Sequence, residues 1–413
     1  VKRVLVVGAG VAGTVAALAA KEAGAEVQLA ARAPGASALC GGLVEVANDP
    51  LGRAVPAVEA ATALATRHPS HPYGRLRARL DRLPAALSLL RSRLAPLFVP
   101  GEESPTERFA TTLGGLRAAA LAHAAQAAGA LRPGRHIGVG WFRNQPAILD
   151  GELVAAGLRE AGLDARACGL DYLNREEQLS WSAFELARWL DRPGEARRFG
   201  ESIQRAQTQV DLLLLPPLLG LERHEEVFAE LSQQAGVPCA ELVAGTPSVP
   251  GLRLQRALER ALAAAGIELA RGDVGKVTES RVRLTGEGGG EELTFDEVVV
   301  ASGRFVGGGV ERERTFSEPL LGLPVWDGTT QLAFQPIETL LGEGPGSPCA
   351  AFRAGLHYDA ELHPLDGDGN PVGWARIAGS LLAGSDHAVD GAGLGLAAFT
   401  GYLAGRLAAG VAP

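Results

Sequence analysis

The first apolar block of the chain, Val4 to Val7, runs straight into Gly8-Ala9-Gly10-Val11-Ala12-Gly13, after which alanine, valine and leucine recur at helical spacing through Gly24. A second apolar stretch covers Glu26 to Ala30. A short continuous apolar block bounded by glycine reads as a buried strand, and the 3.6-residue recurrence reads as a helix, so residues 2–32 are predicted to be β-α-β. From Val55 to Arg132 the spacing is helical, and Pro56, Pro69, Pro72, Pro84, Pro96, Pro100 and Pro105 divide the stretch into short helices. At His136 the texture changes to strands over 136–141, 164–170, 210–215 and 240–243, alternating with helices over 147–162 and 225–236. That alternation predicts a second α/β layer. A helix to Gly266, a glycine-rich turn at 286–290, strands at 297–300 and 375–378, and a last helix to about Ala408 complete the pattern.

Composition changes this picture in three places. Glycine and proline together reach about 19% of the chain, short of the roughly 25–30% of low-complexity disorder, so a large core is expected. Thirty-nine basic against 47 acidic residues, with no basic block, exclude a nucleic-acid footprint. Cys40, Cys168, Cys239 and Cys349 are widely spaced and form no C-x-x-C pair, so the sequence encodes no zinc site and no iron–sulfur cluster, and a reducing cytoplasm is the expected compartment. The apolar start is too short for a signal-peptide core and no run reaches a membrane span, which predicts a soluble chain or one held at a membrane by a partner.

The candidate chemistry begins at the glycine turn. G-x-G-x-x-G between a strand and a helix is the dinucleotide fingerprint: Gly8 serves the tight turn, Gly10 leaves room for a phosphate at the helix N-terminus, and Gly13 lets helix and sheet approach. The acid that normally follows on the second strand is missing, since Leu29-Ala30-Ala31-Arg32 stands there. Arg32 is left either to meet a phosphate or to stand solvated. The loop Gly35-Ala36-Ser37-Ala38-Leu39-Cys40-Gly41-Gly42 is small enough for a flat ring to lie against, or is a plain flexible loop; Cys40 reads as a small filler. Val274, Ala301-Ser302-Gly303, and Gly379 with Asp386, Gly391, Ala392 and Gly393 add further backbone that a nucleotide could approach. His68 and His71 are separated by proline and are not expected to converge on a metal; no metal site is expected anywhere. Small-residue segments far apart in sequence converging on one ligand are the plan of a two-domain flavoprotein. The expected fold is α/β, a Rossmann-like flavin-binding domain formed by residues 1–54 and 246–413 with an inserted helical and α/β domain at 55–245.

These residues resemble the B subunit of the anaerobic glycerol-3-phosphate dehydrogenase, a flavoprotein family related to the fumarate-reductase type. The likeness rests on the glycine turn, Ser37 to Gly42, His71-Pro72-Tyr73, Leu113-Gly114-Gly115-Leu116-Arg117, Pro247-Ser248 to Gln255, Val300 to Gly303, and Gly379 to Gly395, with His387 standing where the family commonly has proline. The resemblance implies oxidation of glycerol 3-phosphate to dihydroxyacetone phosphate, with electrons passed through flavin towards quinone in anaerobic respiration. The cofactor it implies is FMN, or else FAD. Its implied partners are a catalytic A subunit and an iron–sulfur, membrane-associated C subunit, which would place the chain in the cytoplasm or at the inner face of the cell membrane. His387 and Asp386 are the candidate acid–base residues, and Arg117, Arg253 and Arg304 the candidate anion contacts. Beside this stand a stand-alone flavoprotein acting on another small acid, and a non-catalytic assembly subunit.

Overall fold

The computed structural model describes residues 1–48, 54–98, 106–173, 176–286, 289–340, 342, 344 and 347–413; Pro100, Pro105 and the tip of the 286–290 turn lie outside them. The chain clusters into two compact units. One consists of Val1–Ser37, Val44–Leu94 and Gln255–Pro413, the other of Ala38–Leu43 and Ala95–Leu254.

In the first unit, β1 (Arg3–Val7), β2 (Glu26–Ala31), β3 (Glu268–Arg271), β4 (Glu297–Val300) and β5 (Ala375–Ile377) form a sheet in the order β3-β2-β1-β4-β5. Every pairing is parallel. Val4–Val7 and Glu297–Val300 are buried throughout, as continuous apolar strands covered on both faces must be. Val7 pairs with Ala30 on one side and Val300 on the other, so the carboxyl ends of the three central strands are level. The chain's direction of travel across the sheet reverses between β1 and β4, and crevices at such reversals are where open α/β sheets take ligands.

Helix α1 (Val11–Glu22) is buried over its first ten residues, and α2 (Gly393–Ala408) packs along it. The two backbones are in near contact: a Cβ on Gly401 would fall 2.3 Å from the Ala12 oxygen, and one on Gly405 2.2 Å from that of Ala16. Helix Leu83–Arg93 packs on both, through a face that includes Leu83, Ala86, Leu87 and Leu90. Residues 55–94, which the sequence pattern assigns to the insert, therefore cluster with the first unit, while 246–254 cluster with the second. Their apolar face is what assigns them, and local periodicity carries no information about which core that face joins.

The second unit holds a four-stranded parallel sheet in the order Cys239–Glu241, Leu212–Leu215, His136–Phe142, Asp164–Leu170. Helices Gly151–Glu160 and His224–Ala235 fall where the sequence pattern expects helices. The aromatic cluster between its strands is packing: Tyr172 Oη and Trp189 Nε1 both donate to Glu195 Oε2, at 3.0 and 2.9 Å. One prediction fails here. Residues expected to be helical pair instead as antiparallel strands Glu107–Ala110 and Leu116–Ala119. The cause is the turn between them, where Gly114 adopts φ +80° and Thr111 Oγ1 accepts the Leu113 and Gly115 N–H groups. A threonine acceptor and a left-handed glycine close a hairpin that alanine-rich flanks alone do not announce. Among the described residues, no helix is long and apolar enough to cross a membrane.

Candidate functional site

The glycine turn sits at the carboxyl ends of β1 and β4. Gly8 has φ +116°, and a Cβ there would fall 2.3 Å from the Ala301 oxygen; a Cβ on Gly13 would fall 1.8 Å from the oxygen of Gly8. The turn is thus locked against Ala301-Ser302-Gly303, and the structure brings these predicted residues together. Gly10 is different. The nearest atom to a Cβ there is the Ser37 hydroxyl at 3.2 Å, and that hydroxyl accepts the Val11 N–H at 3.0 Å. The first free donor of α1 is therefore capped by Ser37, a single side chain with a rotatable hydroxyl.

At three further positions a Cβ would make only ordinary contacts. A Cβ on Gly303 would meet nothing nearer than 3.7 Å, one on Gly308 nothing nearer than the Arg32 guanidinium at 3.9 Å, and one on Gly393 nothing nearer than 3.6 Å. Arg32 is solvent-facing and 3.8 Å from Asp273. Val274, next to that aspartate, lies in the antiparallel pair with Arg281–Gly286, partly exposed. At other predicted ligand contacts the chain itself comes close. A Cβ on Gly379 would sit 2.7 Å from Ala12 Cβ, and one on Gly391 2.3 Å from Asn48 Oδ1. In the second unit Gly41 abuts Val243 and Ala244, and Gly42 abuts Gln126. A side chain is disfavoured at Gly41 by the Ala244 backbone, and at Gly42, Gly379 and Gly391 by a left-handed φ as well as by the neighbouring atoms.

The proposed anion contacts divide in the same way. Arg253 is consumed by Glu241 in a buried bidentate pair, at 2.7 and 3.0 Å, with its Nε donating to the Gly220 oxygen. Arg117 lies on the short strand Leu116–Ala119 and is partly exposed. Arg304 is buried in the first unit, where Nη2 donates to the Ser385 oxygen at 3.0 Å; burial lowers its pKa to about 10, against the opposing charges of Asp386 and Asp390.

Of the two candidate acid–base residues, His387 is exposed. Asp386 is buried and serves as the N-cap of the short helix His387–Asp390, accepting the Ala388 N–H at 3.1 Å. The pair that the structure assembles is another one. Asp390 accepts the Asp386 N–H at 2.7 Å and lies 3.6 Å from His71 Nε2, both side chains being almost fully buried. Tyr73 N–H donates to His71 Nδ1 at 3.1 Å. Burial, with lesser repulsion from His68 and Arg353, lowers the His71 pKa to about 3, so the ring is neutral; burial raises that of Asp390. Among the described residues, His71 Nε2, Tyr73 Oη, Arg304 Nε and Arg353 Nε have no hydrogen-bond partner. The sequence marks His71-Pro72-Tyr73 as a motif but not Asp390, because their meeting joins residues more than 300 positions apart.

The FAD binding domain family matches residues 3–396. A Yersinia pseudotuberculosis protein named as the B subunit of anaerobic glycerol-3-phosphate dehydrogenase is 27% identical over 95% of this chain and 94% of its own. A Halobacterium salinarum protein named as the probable B subunit of anaerobic glycerol-3-phosphate dehydrogenase is 27% identical, over 98% and 97%. Among solved structures, a 3-ketosteroid-delta4-(5alpha)-dehydrogenase from Rhodococcus jostii superposes over 99% of this chain and 97% of its own, at 12% identity and a TM-score of 0.46. The glycine backbone at Gly10, Gly303 and Gly308, crowded by side-chain tips or by ordinary contacts rather than by abutting backbone, lies at the level carboxyl ends of β1, β2 and β4 with an α1 N-terminus capped by one hydroxyl, and fits a nucleotide phosphate. The chain belongs to the FAD binding domain family.

Proposed function

We propose that this protein is the flavin subunit of a glycerol-3-phosphate dehydrogenase, oxidising glycerol 3-phosphate to dihydroxyacetone phosphate and passing the electrons towards quinone. The observation that carries the reading is the end-to-end likeness to relatives of that name, over 95% or more of the chain, joined to a nucleotide turn at the sheet's switch point. When bound, the flavin supplies an acceptor for two electrons.

The chain's own residues hold that group and shield it. The α1 N-terminus at Val11, released by a turn of the Ser37 hydroxyl, offers its N–H and dipole to a phosphate, and Arg32 offers a side-chain cation at the end of β2. Gly303 and Gly308 present backbone without side chains, and Ala392 and Gly393 open α2, whose N-terminus has no side-chain cap. A dipole of that sense favours negative charge developing near it. As a subunit, the chain works with partners, which we take to be a catalytic A subunit and an iron–sulfur C subunit that brings the assembly to the membrane.

The test is spectral. The purified full-length chain, supplied with both FAD and FMN, is expected to retain a yellow chromophore, and acid release identifies which flavin it is. Anaerobic glycerol 3-phosphate is expected to bleach it. A chain that stays colourless after cofactor supply refutes the flavin-subunit reading.

A further inference from the structure

We propose that Asp273 is the carboxylate that holds the adenosine ribose hydroxyls of FAD, in place of the acid missing from the end of β2; this rests on the flavin reading above. Dinucleotide folds of this kind put a carboxylate at that strand end, because its oxygens accept hydrogen bonds from the ribose hydroxyls. Here β2 ends in the buried Ala31, and the next residue is Arg32, whose guanidinium donates and cannot accept. The acceptor comes from the neighbouring strand.

Strand β3 runs parallel to β2 with Arg271 level with Ala31, so the two strands end at the same edge of the sheet. The Ala31 oxygen accepts the Gly272 N–H at 3.3 Å, which carries the contact one residue beyond β3. Neighbouring strands lie about 4.8 Å apart, so the chain reaches Asp273 about one strand spacing to the side of the place where an acid on β2 would stand. Its backbone is fixed there. Asp273 pairs with Thr285, whose Oγ1 donates to the Asp273 backbone oxygen at 3.3 Å, and a Cβ on Gly272 would fall 2.7 Å from the Thr285 oxygen. The side chain, by contrast, is 68% exposed, and Arg32 Nε stands 3.8 Å from its Oδ1, beyond hydrogen-bond distance.

Distances tie this carboxylate to the nucleotide turn. A Cβ on Gly308 would lie 3.9 Å from Arg32 Nη2, and one on Gly35, in the loop after β2, 3.0 Å from the Gly10 Cα. Arg32 thus stands between the glycine backbone and Asp273. Glycine backbone with a helix N-terminus suits the phosphates, the cation flanks them, and the acid beyond suits a ribose. FMN ends at its single phosphate and has nothing beyond it to offer Asp273.

The test is titration of the full-length chain, freed of flavin, with FAD and separately with FMN, followed by flavin fluorescence. Asp273→Asn keeps the size of the side chain and removes its charge; it is expected to weaken FAD binding about 10-fold and to leave FMN binding within about 2-fold. Unchanged FAD binding would overturn the proposal. So would equal weakening of the two flavins, since the carboxylate would then act on the phosphate through Arg32. A second measurement needs no variant: adenosine diphosphate is expected to displace FAD from the wild-type chain at about 10-fold lower concentration than 2′-deoxyadenosine diphosphate. Equal displacement by the two would also overturn the ribose role. A chain that takes up FMN and not FAD removes Asp273 from the site while the flavin reading stands, whereas a chain that takes up neither refutes the flavin reading itself.

Discussion

Glu241→Ala is expected to destabilise the second unit by about 3–5 kcal/mol, because it leaves the Arg253 guanidinium buried without its counter-charge. Both side chains are almost completely enclosed, and the carboxylate also accepts the Leu219 N–H at 2.6 Å. Burial opposes ionisation of Glu241, but the charge and hydrogen bonds of Arg253 outweigh it and hold its pKa below the ordinary carboxylate value. The contribution is therefore complete at neutral pH and is lost as pH falls through that lowered value. Urea denaturation followed by tryptophan emission reads this directly, since Trp141, Trp181 and Trp189 all lie in the second unit. Replacing both partners, as Glu241→Met with Arg253→Met, is expected to restore much of the loss, because an apolar pair leaves no orphan charge. If E241A unfolds at the wild-type urea concentration, the pair is not a structural ion pair, and Arg253 becomes available again as an anion contact.

Gly13→Ala is expected to cost about 3 kcal/mol and to abolish flavin retention, though the added group is one methyl. The methyl would fall 1.8 Å from the Gly8 oxygen, which belongs to backbone held by β1 and by Ala301. Backbone cannot step aside as a side-chain tip does, so the turn or the helix must shift. Gly10→Ala is the informative contrast, since its methyl meets the Ser37 hydroxyl and little else. That variant is expected to fold with little loss, measured by thermal denaturation, while binding flavin less tightly in fluorescence titration. Equal loss of stability in the two variants would contradict the division between packing glycines and open ones.

That division marks how far the sequence can be read. The β-α-β start, the strands at 164–170 and 297–300 and the helix ending near Ala408 are legible because burial on one face or both writes a period into the chain. The glycine excess is also legible as backbone approached closely. Its cause is not, because a glycine facing a ligand and a glycine facing another part of the chain leave the same letter. Gly391 faces Asn48 and Gly379 faces Ala12, while Gly303 meets nothing nearer than 3.7 Å. Asp386 stands out for a related reason: an aspartate before a short helix is a cap in sequence terms and an acid in chemical terms, and the cap is the one the structure shows made. Asp390 does not stand out, because its significance lies in His71, and no local pattern joins the two.

The packing of α2 along α1 also fixes the order in which the molecule can be made. During synthesis β1 and α1 emerge first, yet β4 and α2, which cover them, are encoded after residue 296. The whole second unit leaves the ribosome in between, closed on local contacts of its own, while the β4 edge of Val4–Val7 and the α2-facing side of α1 wait for their partners. Long-range parallel pairing is slow to form, and apolar strand edges left open invite association. The nascent chain therefore carries an open β1 edge and an open α1 face until β4 and α2 are made, and the five-stranded sheet and its helix layer close only with the last helix.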